Sequence, residues 1–400
     1  MTAPRFRGSG QVAIAGYAQS PITRHIDEPL GPLTARTALA AIADAGLTKE
    51  QIDGFTTGAI FPSSGGRTVI DGTHIVTSDW LAEQLGIRPR WLCGFQGVGQ
   101  IPGSVILAAT AIATGAADYV LVHRAMFNPP GRYHENPMTE ADGESQWNAP
   151  QGYWSPIAQA ALPYMEYMQR YGARREDMAT VVVEARRNGA KIPWSYWHDR
   201  PLTVDDYMDA RMIADPISLL DCDLPISGVG AFVLTSAERA RDLPHRPVYV
   251  AGFAQGRSRP PNGIGYWSLD EIHEAGTEMA GHLWESAGLS RHDVDIPQLY
   301  DGFSPFVYFW LEALGYCPRG EAHRFVQDGG LRPGGTGHPF LSGGGALGNG
   351  RMHGVPQMLE CYLQLSRRAG PRQLEKAEVA LACQATPNFG GAVLYSSHQP

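Results

Sequence analysis

The sequence predicts an α/β protein built from two copies of one layered unit, each with a mixed five-stranded-type sheet, and an inserted loop region in the first copy. Three observations carry this. Strand and helix patterns alternate along the first half, which favours parallel pairing through right-handed crossovers. The same order restarts after residue 245. And "ADAGLTKEQID" (Ala43–Asp53) reappears as "ESAGLSRHDVD" (Glu285–Asp295): Ala45-Gly46-Leu47 matches Ala287-Gly288-Leu289 and Ile52-Asp53 matches Val294-Asp295, at a constant offset of 242 residues (287 less 45). A shared helix end and strand start at one fixed spacing indicates a duplicated unit.

The elements follow in order. "VAIAGY" (Val12–Tyr17) reads as a buried strand, and "PLTARTALAAIADAGL" (Pro32–Leu47) has helical apolar spacing closed by Gly46. "IDGFTTGAI" is a strand, a helix lies near Asp79–Leu85, "RWLCGF" is a short strand, and a long helix from Ser104 to Thr114 precedes the strand "DYVLVH". "GVGAFVLTSAERA" (Gly228–Ala240) closes the first half, residues 1–245; "RPVYVAGF" (Arg246–Phe253) opens the second, residues 246–400. The insertion, about 128–214, starts with an aromatic, Pro- and Gly-rich stretch and continues with two helical patterns, "IAQAALPYMEYMQRYG" and "MATVVVEARRNGA". It reads equally as a pocket wall and as a dimer contact.

Composition narrows the function. The 400 residues, 43% hydrophobic and 18% charged, suit a large buried enzyme with more than one core. A formal charge of −8 leaves no basic footprint for nucleic acid. The longest apolar run, Ile106 to Ala117, is too short to span a bilayer. Five scattered cysteines without CxxC support neither a disulfide framework nor a zinc site, so we expect no metal, no cofactor and a reducing cytoplasm.

Three segments carry chemistry. In "CGFQGVGQIPGS" (Cys93–Ser104) a dinucleotide fingerprint fails, because Gly97-x-Gly99 is followed by Gly103, one position late. The helix start there still offers N–H groups to an oxyanion. In "LYDGFSPFVYFWLEALG" (Leu299–Gly315), Ser304 is expected to cap a helix begun by Pro305. Tyr300 and Asp301 then lie at a strand's carboxyl edge, where ligands bind. Tyr300 either packs or, if a neighbour lowers its pKa, acts as general acid or base. In "GHPFLSGGGALGNGRMHG" (Gly337–Gly354) three consecutive glycines, Gly343 to Gly345, permit turns closed to other residues, and a helix follows with Met358, Cys361, Tyr362 and Leu365 on one face. No Lys-Ser/Thr follows to make a phosphate loop. His353, at the helix start, is the favoured functional histidine; His338 is the weaker candidate.

Taken together, the duplicated unit, "YDGF", "SGGGALGNGRMHG" and "GVGAFVLTSAERA" resemble the thiolase superfamily over nearly the whole chain. The nearest branch is the sterol-carrier-type, lipid-transfer-like proteins, which include steroid side-chain retro-aldolases. The resemblance implies a thiolase-like αβαβα layered fold. It also exposes departures. Registering "ILAATAIATGAAD" (Ile106–Asp118) on the family's nucleophile helix puts Val98 at the nucleophile position, with Cys93 five residues earlier. Valine offers no nucleophile, so covalent acyl transfer is expected to be lost. Tyr300 opens the motif that helps hold the thioester oxygen in the family. The family's Gly-His-Pro histidine falls within Asn349 to Arg351, where none stands, so His353 is the nearest candidate; Gly337-His338-Pro339 precedes the glycines instead of following them. Cys383 lies about two residues from the family's second cysteine and reads as a buried strand residue.

The resemblance therefore implies a carbon–carbon lyase, a retro-aldolase splitting a β-hydroxyacyl-CoA. A 17-hydroxy steroid side-chain thioester would give a 17-ketone and propionyl-CoA, with CoA entering only as part of the substrate. Tyr300 and His353 are the catalytic candidates, and Val98, Gly344 and Gly345 line the substrate. Asp301 is expected to orient the turn. The implied partners are a second copy of the chain and a small zinc-ribbon/OB-fold protein in a heterotetramer, the zinc belonging to that partner. The competing readings are a non-catalytic acyl-CoA or lipid carrier and a thiolase-type acyltransferase using another cysteine.

Overall fold

Strands β1 (Val12–Gln19), β2 (Gly54–Thr57), β3 (Trp91–Gly94) and β4 (Tyr119–Met126) belong to the first half. After a small ribbon, β5 (Met212–Ala214) with β6 (Ile217–Ser218), come β7 (Gly228–Ser236), β8 (Val248–Gln255), β9 (Ile296–Gln298), β10 (Val379–Gln384) and β11 (Gly391–Ser396). The computed structural model of the chain describes residues 4–58, 69–94, 100–128, 145–153, 155–256, 268–334 and 337–399. Val98 and most of the aromatic stretch that opens the insertion lie outside the described residues.

The main strands form one sheet in the order β3-β2-β4-β7-β1-β8-β11-β10-β9. This corrects the expectation of two sheets: β1 and β8 pair antiparallel through Ala13–Tyr249 and Ile14–Val248, which joins the halves edge to edge. Outward from that seam the pairings repeat. β1–β7 and β7–β4 are antiparallel and β4–β2 is parallel; β8–β11 and β11–β10 are antiparallel and β10–β9 is parallel. Only the first half adds a further parallel strand, β3, among the described residues. Alternation of strand and helix thus signals parallel neighbours at the edges but not the antiparallel centre.

The duplication extends to packing. A Cβ on Gly16 of β1 would lie 2.6 Å from the Ala45 backbone, and one on Gly252 of β8 would lie 2.7 Å from Ala287. Each glycine lets the end of an outer helix (Leu30–Asp44 or Leu269–Ala287) settle onto its strand. Two further helices, Gln100–Ala113 and Val355–Leu365, form the inner layer, the first packing against strands of both halves.

Side chains alternate between these layers, as the two-residue period of a strand requires. Val120 and Val122 of β4 join the inner cluster, whereas Leu121 and Ala125 face the outer helices of the first half. On β10, Ala380 and Ala382 point inward and Leu381 and Cys383 outward. Burial on both faces explains why these strands read as nearly unbroken apolar runs. The insertion's helices, Pro156–Tyr171 and Arg175–Gly189, pack on the second half, with Tyr164, Tyr167 and Val181 in one cluster with Phe309 and Trp310. No helix among the described residues is long and apolar enough to cross a membrane, and none of their His, Cys, Asp and Glu side chains group to hold a metal.

Candidate active site

β9 ends at Gln298, and the chain turns through Tyr300 and Asp301 into the helix Pro305–Ala313. Pro305 occupies the first turn as expected, but Ser304 makes no capping bond; its hydroxyl donates to Asp221. Asp221 also accepts from the Ser218 amide and hydroxyl and from the Tyr207 hydroxyl, so its carboxylate is saturated. The chain then brings Asp223 under the turn, where its amide donates to Gly302 O at 3.0 Å.

Tyr300 is 5% exposed, and its hydroxyl lies 3.4 Å from Asp223 Oδ2, which it faces as donor. The Gln384 side chain at the end of β10 faces the phenol and weakly opposes the rise in its pKa. Burial, then the charges of Asp223 and Asp301, hold the phenol well above its ordinary pKa. Its neighbours therefore raise its pKa, the reverse of the expected lowering, and Tyr300 stands as a neutral phenol at neutral pH. Asp223 in turn is pushed well above the ordinary carboxylate range by burial and by Asp301, against the opposing hydrogen bond from Tyr300.

Asp301 has a different task. Its carboxylate accepts from the amides of Ala346 (2.6 Å) and Leu347 (3.1 Å) and from Gln357 Nε2 (3.1 Å). It thereby pins the glycine loop to the strand end, which is the orienting role expected of it. Burial raises its pKa to about 7. The glycines make this possible: Gly344 and Gly345 have φ of +75° and +57°, and a Cβ on Gly345 would sit 2.2 Å from the Asp301 carboxylate. A Cβ on Gly344 would meet the Gly189 Cα at 2.7 Å. Both contacts are with protein, which is reason enough for glycine at either position.

The loop ends at His353 (φ +48°) and Gly354 (φ +93°), which enters the fully buried helix Val355–Leu365. A Cβ on Gly354 would lie 3.0 Å from Gln384 Cγ and 3.4 Å from Pro102 Cδ. Gly354, the residue after His353, is therefore packed against Gln384 and against Pro102 of the helix Gln100–Ala113. Arg124 of β4 completes the group, its Nη2 donating to His353 Nδ1 at 2.8 Å. Burial and the charges of Arg124 and Arg351 hold the His353 pKa well below its ordinary value, so the ring is neutral. His338 lies elsewhere, packed on the rings of Tyr316 and Phe340 at 5.3 and 5.7 Å.

Arg124, Asp223 and Gln384 escaped the sequence reading. Arg124 had a signal, a cation beside His123 inside the largely apolar strand "YVLVHRAM". "DCDLP" gives no hint of which aspartate is structural and which faces the phenol. Burial pushes the thiols of Cys222, Cys317, Cys361 and Cys383 upward, away from the reactive thiolate, and Cys93 lies half-buried on the edge strand β3.

Residues 269–394 match the family model described as thiolase C-terminal domain-like. The chain is 35% identical over 367 residues, 89% of its length and 92% of the relative's, to 17-hydroxy-3-oxo-4-pregnene-20-carboxyl-CoA lyase of Mycobacterium tuberculosis. It is also 35% identical, over 88% of its length and 89% of the relative's, to the steroid side-chain-cleaving aldolase of Thermomonospora curvata. Among solved structures, the Ltp2-ChsH2(DUF35) aldolase superposes with a TM-score of 0.85 at 31% identity, covering 97% of this chain and 98% of that one. Human mitochondrial 3-ketoacyl-CoA thiolase, at 14% identity and a TM-score of 0.65 over 97% of this chain and 98% of that one, shares the fold. The chain thus belongs to the thiolase superfamily, in its lipid-transfer-like branch with the steroid side-chain-cleaving aldolases.

Proposed function

We propose that the chain is a carbon–carbon lyase that splits a β-hydroxyacyl-CoA by retro-aldol chemistry, its substrate a 17-hydroxy steroid side-chain thioester. The products are a 17-ketone and a short acyl-CoA such as propionyl-CoA. The observation that carries this reading is the buried Tyr300–Asp223 pair at the strand end after β9. In this reading the pair handles the proton transfers and no cysteine is acylated.

Tyr300 takes the substrate's β-hydroxyl proton while its own proton passes to Asp223 Oδ2. The bond between the α and β carbons breaks, the ketone forms, and the electron pair settles on the α-carbon and thioester oxygen as an enolate. His353 donates to that oxygen. The proton held by Asp223 returns through Tyr300 to the α-carbon, so the reaction is proton-neutral. The neutral state of His353 suits an oxyanion donor, whereas a standing imidazolium would protonate the enolate oxygen. Gly344 and Gly345 serve this scheme by letting Asp301 hold the loop that carries His353.

The assembly we propose is a homodimer joined by a small zinc-ribbon/OB-fold partner, in keeping with the two-component name of the aldolase at TM-score 0.85. The test is incubation of the purified chain, with and without that partner, with a 17-hydroxy steroid acyl-CoA. Ketone release without added CoA is expected. Release strictly dependent on free CoA would restore thiolysis, and tight binding without turnover would make the chain a carrier.

A further inference from the structure

His353 is held by a cation from the other half of the molecule. Arg124 lies on β4, 1% exposed, 229 residues before the histidine it contacts, and its Nη2 donates to Nδ1 at 2.8 Å. We propose that Arg124 is the positioning residue of the oxyanion site: it fixes His353 as the neutral Nε2–H tautomer and turns Nε2–H toward the thioester oxygen. This rests on the retro-aldolase reading for its chemical purpose but not for its geometry.

The tautomer follows from the donor inventory. A guanidinium has only N–H groups and accepts nothing. The Nδ1 that faces it must therefore present a lone pair, which leaves the ring proton on Nε2. That nitrogen has no partner among the described residues and is not one of the sealed polar atoms, while the residue keeps 8% of its surface exposed. A donor is thus left over on the ring, with no protein acceptor among the described residues.

The surroundings explain why the arrangement needs an arginine. The charged groups felt by His353 are Arg124 from β4 and Arg351 from its own loop, and no carboxylate forms an ion pair with His353 or Arg124 among the described residues. A protonated ring between two cations is disfavoured. Arg124 itself, pulled by burial to about 9, stays charged at neutral pH. Its Nε is buried without a hydrogen-bond partner among the described residues, and its Nη1 donates to Ala125 O at 3.5 Å. The backbone also gives way to the ring: His353 and Gly354 are consecutive left-handed residues, a conformation a histidine rarely adopts.

The experiment is nitrogen-15 NMR of the full chain carrying labelled histidine, from pH 5.5 to 8, with the His353 signals assigned by their loss in His353→Gln. The wild-type ring is expected to show the Nε2–H tautomer and to stay neutral throughout. In Arg124→Met it should become a mixture of tautomers that protonates nearer pH 6.5, the ordinary histidine value. Turnover of the 17-hydroxy thioester should fall roughly 10²- to 10³-fold in kcat, with KM changed only a few-fold, and gain a new acid limb. Arg124→Lys, which also can only donate, should recover the tautomer and part of the rate. An Nδ1–H tautomer or an imidazolium at pH 7 in the wild type would overturn the proposal, as would an unchanged tautomer and pH profile in Arg124→Met. The spectrum decides this even if no steroid thioester is cleaved, so failure of the retro-aldolase reading and failure of the positioning role give different results.

Discussion

Tyr300 and Asp223 depend on each other. In the proposed mechanism, removing the phenol's hydroxyl takes away the group that meets the substrate, and removing the carboxylate takes away the place its proton goes. Tyr300→Phe and Asp223→Asn are each expected to lower kcat by roughly 10²- to 10⁴-fold with the fold intact, as checked by circular dichroism and steady-state kinetics. Because Asp223 is held above the ordinary carboxylate range, the acid limb of kcat/KM should lie at higher pH than an ordinary aspartate gives. The sign for stability follows from linkage. A carboxyl whose folded pKa is raised contributes stability that is present below its unfolded pKa and lost as pH rises through the folded pKa. Asp223→Asn should therefore raise Tm more at pH 8 than at pH 4, and an equal change at both would contradict the assignment. At this scale the sequence made Tyr300 and His353 visible, through a strand-to-helix junction and a glycine-flanked helix start. Arg124 and Asp223 were hidden because they act from β4 and from a loop before β7, far away in sequence and adjacent only after folding.

Among the elements, the glycine loop and the strand end after β9 are locked by one carboxylate. Asp301 gathers two loop amides and Gln357, and Gly345 leaves the space it fills. Gly345→Ala forces a Cβ into that carboxylate at a positive φ, so it should cost roughly 2 kcal/mol or more in a denaturant titration. It should also reduce turnover, because the same loop carries His353. A cost within a few tenths of a kcal/mol would show that the loop tolerates displacement. The elements themselves were largely legible. The helices of the insertion begin and end within a few residues of their apolar patterns, with Gly172 ending the first in a left-handed cap. What the pattern did not contain was the seam. β1 and β8 pair at two positions only, and strand periodicity says which face is buried but not which strand lies alongside.

Across the molecule, the duplication visible as a 242-residue offset in the sequence returns as a repeated order of pairings about the β1–β8 seam. The first half supplies Arg124 and the start of the helix Gln100–Ala113; the second supplies Tyr300, Gln384 and His353. The proposed site therefore draws residues from both copies, and no single motif holds it. In the proposed scheme a phenol, a carboxylate and a neutral imidazole carry the reaction, with no thiol among them. The most direct measurement is the mass of the intact protein, quenched at intervals while ketone accumulates from a 17-hydroxy steroid acyl-CoA. The account predicts an unchanged mass at every time point, with all five cysteines open to alkylation after denaturation. A transient gain equal to an acyl group on any cysteine would contradict it.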